Sequence, residues 1–186
     1  SLYPLDLHPL IEFKAAVAMA ESQLRLMERQ KTDPDDLATV LGYEALARWF
    51  SGESSRAKVL FNEALSLAKS KSVKARLLND RVPIYNEAGD SVGAEHTLAT
   101  SAWLYNCSPT KERNGLIPAL LNLAASLTRQ GRSAEAEAYL GKAEEQFRRE
   151  PYLKDPFPVY RGQQEVVAGL LEYARNNDEE EEKAFR

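Results

Sequence analysis

Three glycines stand in phase with the residues that follow them, and this constrains the chain more than any other feature. Gly52, Gly89 and Gly131 are separated by 37 and 42 residues. Five residues after each comes an alanine: Ala57, Ala94 and Ala136. Nine after each comes a large apolar residue: Phe61, Leu98 and Leu140. Twelve after each comes a small one: Ala64, Ser101 and Ala143. A glycine can take the left-handed backbone that ends a helix. The alanine lets two helices approach closely, the large residue fills the space beside them, and the later small residue admits the next hairpin. A helix hairpin repeating at such a period is the pattern of a helical solenoid.

The segments between the breaks are helical in pattern. Ala and Leu each occur 25 times, whereas Ile and Val together occur only 12 times, a bias toward helix and against sheet. Leu10, Phe13, Val17, Ala20, Leu24 and Met27 form one amphipathic stripe. Asp33 can cap a following helix over about 34–50, with Pro34 at its first position and Asp35 and Asp36 favouring the dipole. Ser54 or Ser55 is then expected to cap a helix to about 70. A helix over about 73–88 follows, then one capped by Ser91, one over about 109–130 that Ser108 caps, one capped by Ser133, and a last one over about 158–175. Pro83 and Pro118 lie inside these patterns and either kink or break them or sit at an irregular helix start, the latter fitting Pro118 beside Gly115. Trp49 and Trp103 read as core or inter-repeat packing.

Together these features resemble the tetratricopeptide repeat (TPR) family across nearly the whole chain. The three glycines match the turn within each repeat. Tyr85, Leu127 and Tyr173 match the large position late in the first helix, and Leu123-Ala124 matches the family's Leu-Gly pair with Ala for Gly. The periods exceed the usual 34 residues, the early Trp is absent, and the first helix of the first repeat aligns only after a one-residue slip. Armadillo-like and HEAT-like hairpin arrays are the competing solenoids. The resemblance implies an all-α, right-handed superhelical solenoid of about eight antiparallel helices. It forms a single domain over 1–186, with a half repeat at 8–31, repeats at about 34–70, 73–107 and 109–149, and a half repeat at 158–186. The longer period resembles the TPR regions of bacterial signalling and transcription regulators. Helical patterning reaches Arg186 and no basic-then-apolar leader opens the chain at Ser1, so it reads as a piece of a longer cytoplasmic protein.

First helices of TPR hairpins line a concave groove where protein or peptide partners bind. Carried over by position, the groove residues are Tyr43, Ala47 and Phe50 from the first repeat. The second supplies Arg76, Asn79, Asp80, Pro83, Asn86 and Glu87, and the third Leu121, Asn122, Ala125, Thr128 and Arg129. Asn122 stands where family members often hold a ligand backbone with an amide, both donor and acceptor. The basic clamp for a terminal carboxylate is not reproduced, because Asp80 occupies a position that wants a neutral or basic side chain. The expected function is therefore non-catalytic binding of a protein or peptide. The alternative is a sensor or oligomerisation region of a bacterial regulator whose effector domain lies elsewhere.

Other chemistries find little material. One cysteine excludes a disulfide framework and a four-cysteine zinc site, and there are two histidines. Cys107 lies eleven residues, roughly 16 Å of helix, from His96, too far for a thiolate–imidazole pair. No phosphate loop, dinucleotide fingerprint or metal-ligand spacing occurs, so neither enzymatic activity nor a cofactor or metal is expected. No apolar run approaches a membrane span. The net charge of −4 includes five consecutive acids from Asp178 to Glu182, best read as a helix's acidic first turn. The remainder is nearly neutral, which argues against a nucleic-acid partner. Arg56, Lys58, Lys69, Lys71, Lys74, Arg76 and Arg81 outnumber Glu63 and Asp80 locally and read as a solvated hairpin tip. The terminal stripe Leu10, Phe13, Val17, Leu24 and Met27 and the helix over 158–175, with Val166, Leu170 and Tyr173, each leave an apolar face bare, so the chain is expected to self-associate through one of its ends, most simply as a two-fold homodimer.

Overall fold

The glycine breaks form in the computed structural model, which describes residues 8–27, 32–109, 112–113, 115–149 and six positions between 162 and 172. Gly52, Gly89 and Gly131 have φ of +84°, +69° and +71°. At two of them the turn is fully bonded. Glu53 N–H reaches Arg48 O (2.8 Å) and Gly52 N–H reaches Trp49 O (2.9 Å), while Arg132 N–H reaches Leu127 O and Gly131 N–H reaches Thr128 O, both 3.0 Å. This double closure satisfies carbonyls that a helix end leaves orphaned, and it needs the left-handed residue that glycine supplies.

The described residues form eight helices and no strand: α1 (His8–Met27), α2 (Pro34–Phe50), α3 (Ser54–Leu67), α4 (Lys71–Asp80), α5 (Val82–Glu87), α6 (Ser91–Asn106), α7 (Leu116–Arg129) and α8 (Ser133–Arg149). They divide into two compact units, Ser1–Gly89 and Asp90–Arg186.

In the first unit α2 is central and packs against α1, α3 and α4. Its start follows the sequence: Asp33 caps by accepting from Asp35 N–H at 2.8 Å, and Pro34 opens the helix. The core joins Ala38, Leu41 and Ala45 of α2 to Ala57, Leu60, Phe61 and Ala64 of α3, with Leu77 and Ile84. Leu24 of α1 and Trp49 pack against it, so the α1 stripe is turned inward, with Ala20 also buried. Arg48 ties three segments together, binding Glu21 at 2.5 Å, Glu44 at 2.6 Å and Glu53 at 2.7 Å. Glu44 is buried, and such a carboxylate is tolerated only with a partner of this kind.

The expected single helix over 73–88 is two helices. Arg81 ends α4 and begins α5. Pro83 has no N–H for the Asn79 carbonyl four residues back, so the ladder breaks there. Three other starts differ from expectation. Glu53, not a serine, precedes α3 and makes no side-chain cap, Asp90 rather than Ser91 caps α6 by accepting from Gly93 N–H at 2.8 Å, and Ser133 is itself the first residue of α8, its Oγ without a hydrogen-bond partner.

In the second unit α7 packs against both α6 and α8. Ten of its fourteen residues are buried, as befits a helix apolar on nearly every side. It begins at Leu116 rather than near Pro109, so Pro118 falls in its first turn, where no intrahelical donor is missed. Gly115 before it is required by packing: a Cβ there would lie 2.0 Å from the buried Tyr105 ring. Trp103 departs from expectation most. It is 60% exposed, because Ala94, Leu98 and Ala102 face inward from α6 and Trp103 stands one residue, about 100°, past that stripe. The last expected half repeat, 158–186, lies almost wholly outside the described residues, as does Tyr173.

Candidate functional site

Thr39, Tyr43, Ala47 and Phe50 follow one another at spacings of 4, 4 and 3 on α2, which places them along one face. Ala47 is buried, while Tyr43 and Phe50 are 54% and 46% exposed. Two exposed aromatic residues, about 10 Å apart along the helix, thus stand on either side of a small buried one.

α4 supplies the opposite side. Arg76 donates from Nη2 to Thr39 Oγ1 at 2.6 Å and from Nη1 to the Tyr43 hydroxyl at 3.3 Å, with its guanidinium carbon 5.2 Å from the Tyr43 ring centroid. The Thr39 hydroxyl spends its own proton on Asp35 O at 2.7 Å, which leaves lone pairs for Arg76. Arg76 is therefore fixed by three contacts, and Tyr43 is braced by a cation–π contact.

At the far end Phe13 of α1 stacks on Phe50 with centroids 4.6 Å apart and rings 10° from parallel, and Trp49 meets Phe50 edge-on at 4.8 Å. Trp49 Nε1 donates to Glu87 at 2.9 Å, and Glu87 also accepts from Ser54 Oγ. Glu87 so links α5 to the α2–α3 turn.

Asn79 and Asp80 are half-buried beside Arg76. Burial pushes the Asp80 carboxyl up to about 6, against the opposing pull of Arg76 and the Asn79 hydrogen bond. Asn86 is exposed on α5. In the second unit Asn122, Ala125 and Arg129 share one face of α7, the first two half-buried and Arg129 exposed. Leu121 is 1% exposed and belongs to the core, since it stands about 100° from that face. Thr128 is likewise buried and donates to Ala124 O. Of the expected groove residues, the structure thus joins Tyr43, Arg76 and Asp80, and sets Phe50 on the Tyr43 face. Thr39 and Phe13 were not among them. The spacing of Thr39 and Tyr43 by four residues was the available signal for the first; nothing local marked the second.

The basic run is partly answered within the unit. The Asp35 carboxylate accepts from the backbone N–H of Lys69 at 2.6 Å and of Ser70 at 3.0 Å, with Lys74 nearby. Among the described residues no group of three or more His, Cys, Asp or Glu could hold a metal ion, and no helix is long and apolar enough to cross a membrane. No family model matches this chain and no curated protein matches it; the candidate site rests on its geometry.

Proposed function

We propose that this chain is a non-catalytic, cytoplasmic protein-interaction module. Its TPR-like hairpins stack as a right-handed solenoid, and it takes a peptide or protein segment along the α2–α4 face. The observation that carries the reading is the pairing of exposed aromatic residues with a fixed cation: Tyr43 and Phe50 share one face of α2, and Arg76 is locked against Tyr43 and Thr39. Rigid aromatic and arginine side chains are the residue types that concentrate binding energy at protein interfaces. Their fixation here removes much of the ordering cost of association. The face offers exposed aromatic surface at Tyr43 and Phe50 and the charged donors of Arg76.

The test is photo-crosslinking from a benzophenone side chain placed at Phe50, followed by calorimetry with the captured segment as a synthetic peptide. Tyr43→Ala and Arg76→Ala should each weaken binding about tenfold or more, corresponding to at least about 1.4 kcal/mol, with helical content unchanged. Binding unaffected by both substitutions would overturn the reading.

A further inference from the structure

The exposed side of α6 carries a stripe that the groove reading does not use. Val92, His96, Ala99 and Trp103 recur at spacings of 4, 3 and 4, the seam spacing of paired helices. Val92 is 73% exposed and Trp103 60% exposed, two of the most exposed large apolar side chains among the described residues. His96 is exposed and Ala99 half-buried. From Ser91 to Cys107 the only Asp, Glu, Lys or Arg is Glu95, and it is turned aside to Arg132, with which it forms an ion pair.

We propose that this stripe docks a second copy of the chain, α6 against α6 in antiparallel fashion about a two-fold axis. A two-fold interface sets a surface against itself, so residue i meets j and j meets i. A stripe bearing charge of one sign would oppose its own copy; this one bears none. The residue sizes match themselves as well. With the axis passing between positions 97 and 98, Trp103 of each copy lies over Val92 of the other, and the small Ala99 faces His96. Depletion of charge around a tryptophan is the composition of an interface centre. The paired helix is held by its inward side, through Ala94, Leu98, Ala102 and Tyr105, so docking needs no rearrangement. The outer face of α1, with Met19 and Leu26 exposed, is the competing surface.

Sedimentation velocity on the full chain from about 1 to 100 μM, the range in which an interface of modest size associates, decides the matter. The mass should climb from 20.8 kDa toward twice that value. Trp103→Ala and Val92→Lys should each hold it at the monomer, whereas Met19→Lys should leave association intact. Both α6 side chains are exposed, so circular dichroism and melting should not change. In Trp49→Phe, Trp103 is the sole tryptophan, and its emission should shift to the blue as concentration rises. A mass constant at 20.8 kDa, association that survives both α6 substitutions, or association lost in Met19→Lys would each overturn the proposal. Trp103→Ala, Val92→Lys and Met19→Lys leave Tyr43, Phe50 and Arg76 and their contacts untouched, so the groove reading stands or falls separately.

Discussion

Leu77 of α4 occupies the space that a side chain at Gly42 of α2 would need. A Cβ at position 42 would fall 2.3 Å from Leu77 Cδ2, and Leu77 is fully buried in the core of the first unit. The α2–α4 contact that positions Arg76 over Tyr43 is thus set by a missing methyl group.

Gly42→Ala should therefore destabilise the protein although alanine is the better helix former. The propensity gain is about 1 kcal/mol, against an overpacking cost of about 1–3 kcal/mol where the fully buried Leu77 must give way. Chemical denaturation should show a net loss, and Leu77→Ala in the same chain should abolish the coupling between the two sites. A stabilised Gly42→Ala protein would show that α4 can move away.

Ala136 gives the equivalent test in the second unit. It and Ala143 are the two buried residues of α8, which packs against α7. Ala136→Leu adds three carbons to a fully buried position, so a loss of about 1–3 kcal/mol is expected. An unchanged melting temperature would contradict the close approach.

Asp80 predicts a pH dependence. Burial raises its folded pKa from the ordinary aspartate value of 3.8 to about 6, so the folded state holds the proton more tightly than the unfolded chain does. Stability should then fall as pH rises between about 4 and 6 and stay lower above, by linkage. Asp80→Asn should be more stable than the native chain at pH 7, by on the order of 1–3 kcal/mol, and should lose that slope. Urea titrations at pH 4.5 and pH 7 measure both effects.

Asp35 has the opposite sign. Burial alone would raise its pKa, but the amides of Lys69 and Ser70 outweigh it and hold the carboxyl below the ordinary aspartate value of 3.8. Its contribution is present above that pH and is lost as pH falls further. Asp35→Asn leaves those amides a weaker acceptor, and a loss of about 1–3 kcal/mol at pH 7 is expected. Faster amide exchange at Lys69 and Ser70 would locate the damage.

Part of what neighbours within a few residues decide could be read from the amino acids in order: the left-handed turns at Gly52, Gly89 and Gly131 follow from a backbone preference of single residues, and the start of α2 from Asp33 and Pro34. The single helix expected over 73–88 is instead divided at Arg81, and the residues before α3 and α6 are Glu53 and Asp90 rather than the expected serines. Burial of Ala57, Ala94 and Ala136 was legible because three phased copies repeat the same constraint. The facing of side chains outside the stripes depended on packing partners distant in the chain. Trp103 looked like a core residue by type, yet its angle on α6 leaves it in solvent. Leu121 matched a groove position by alignment, yet the near-complete burial of α7 claims it. Arg76 on Tyr43, Phe13 on Phe50, Arg48 on Glu21 and Leu77 over Gly42 join residues 27 to 37 positions apart. Helical periodicity carries the direction of a side chain around its own axis, but not which helix comes to meet it; close packing of the core made that choice.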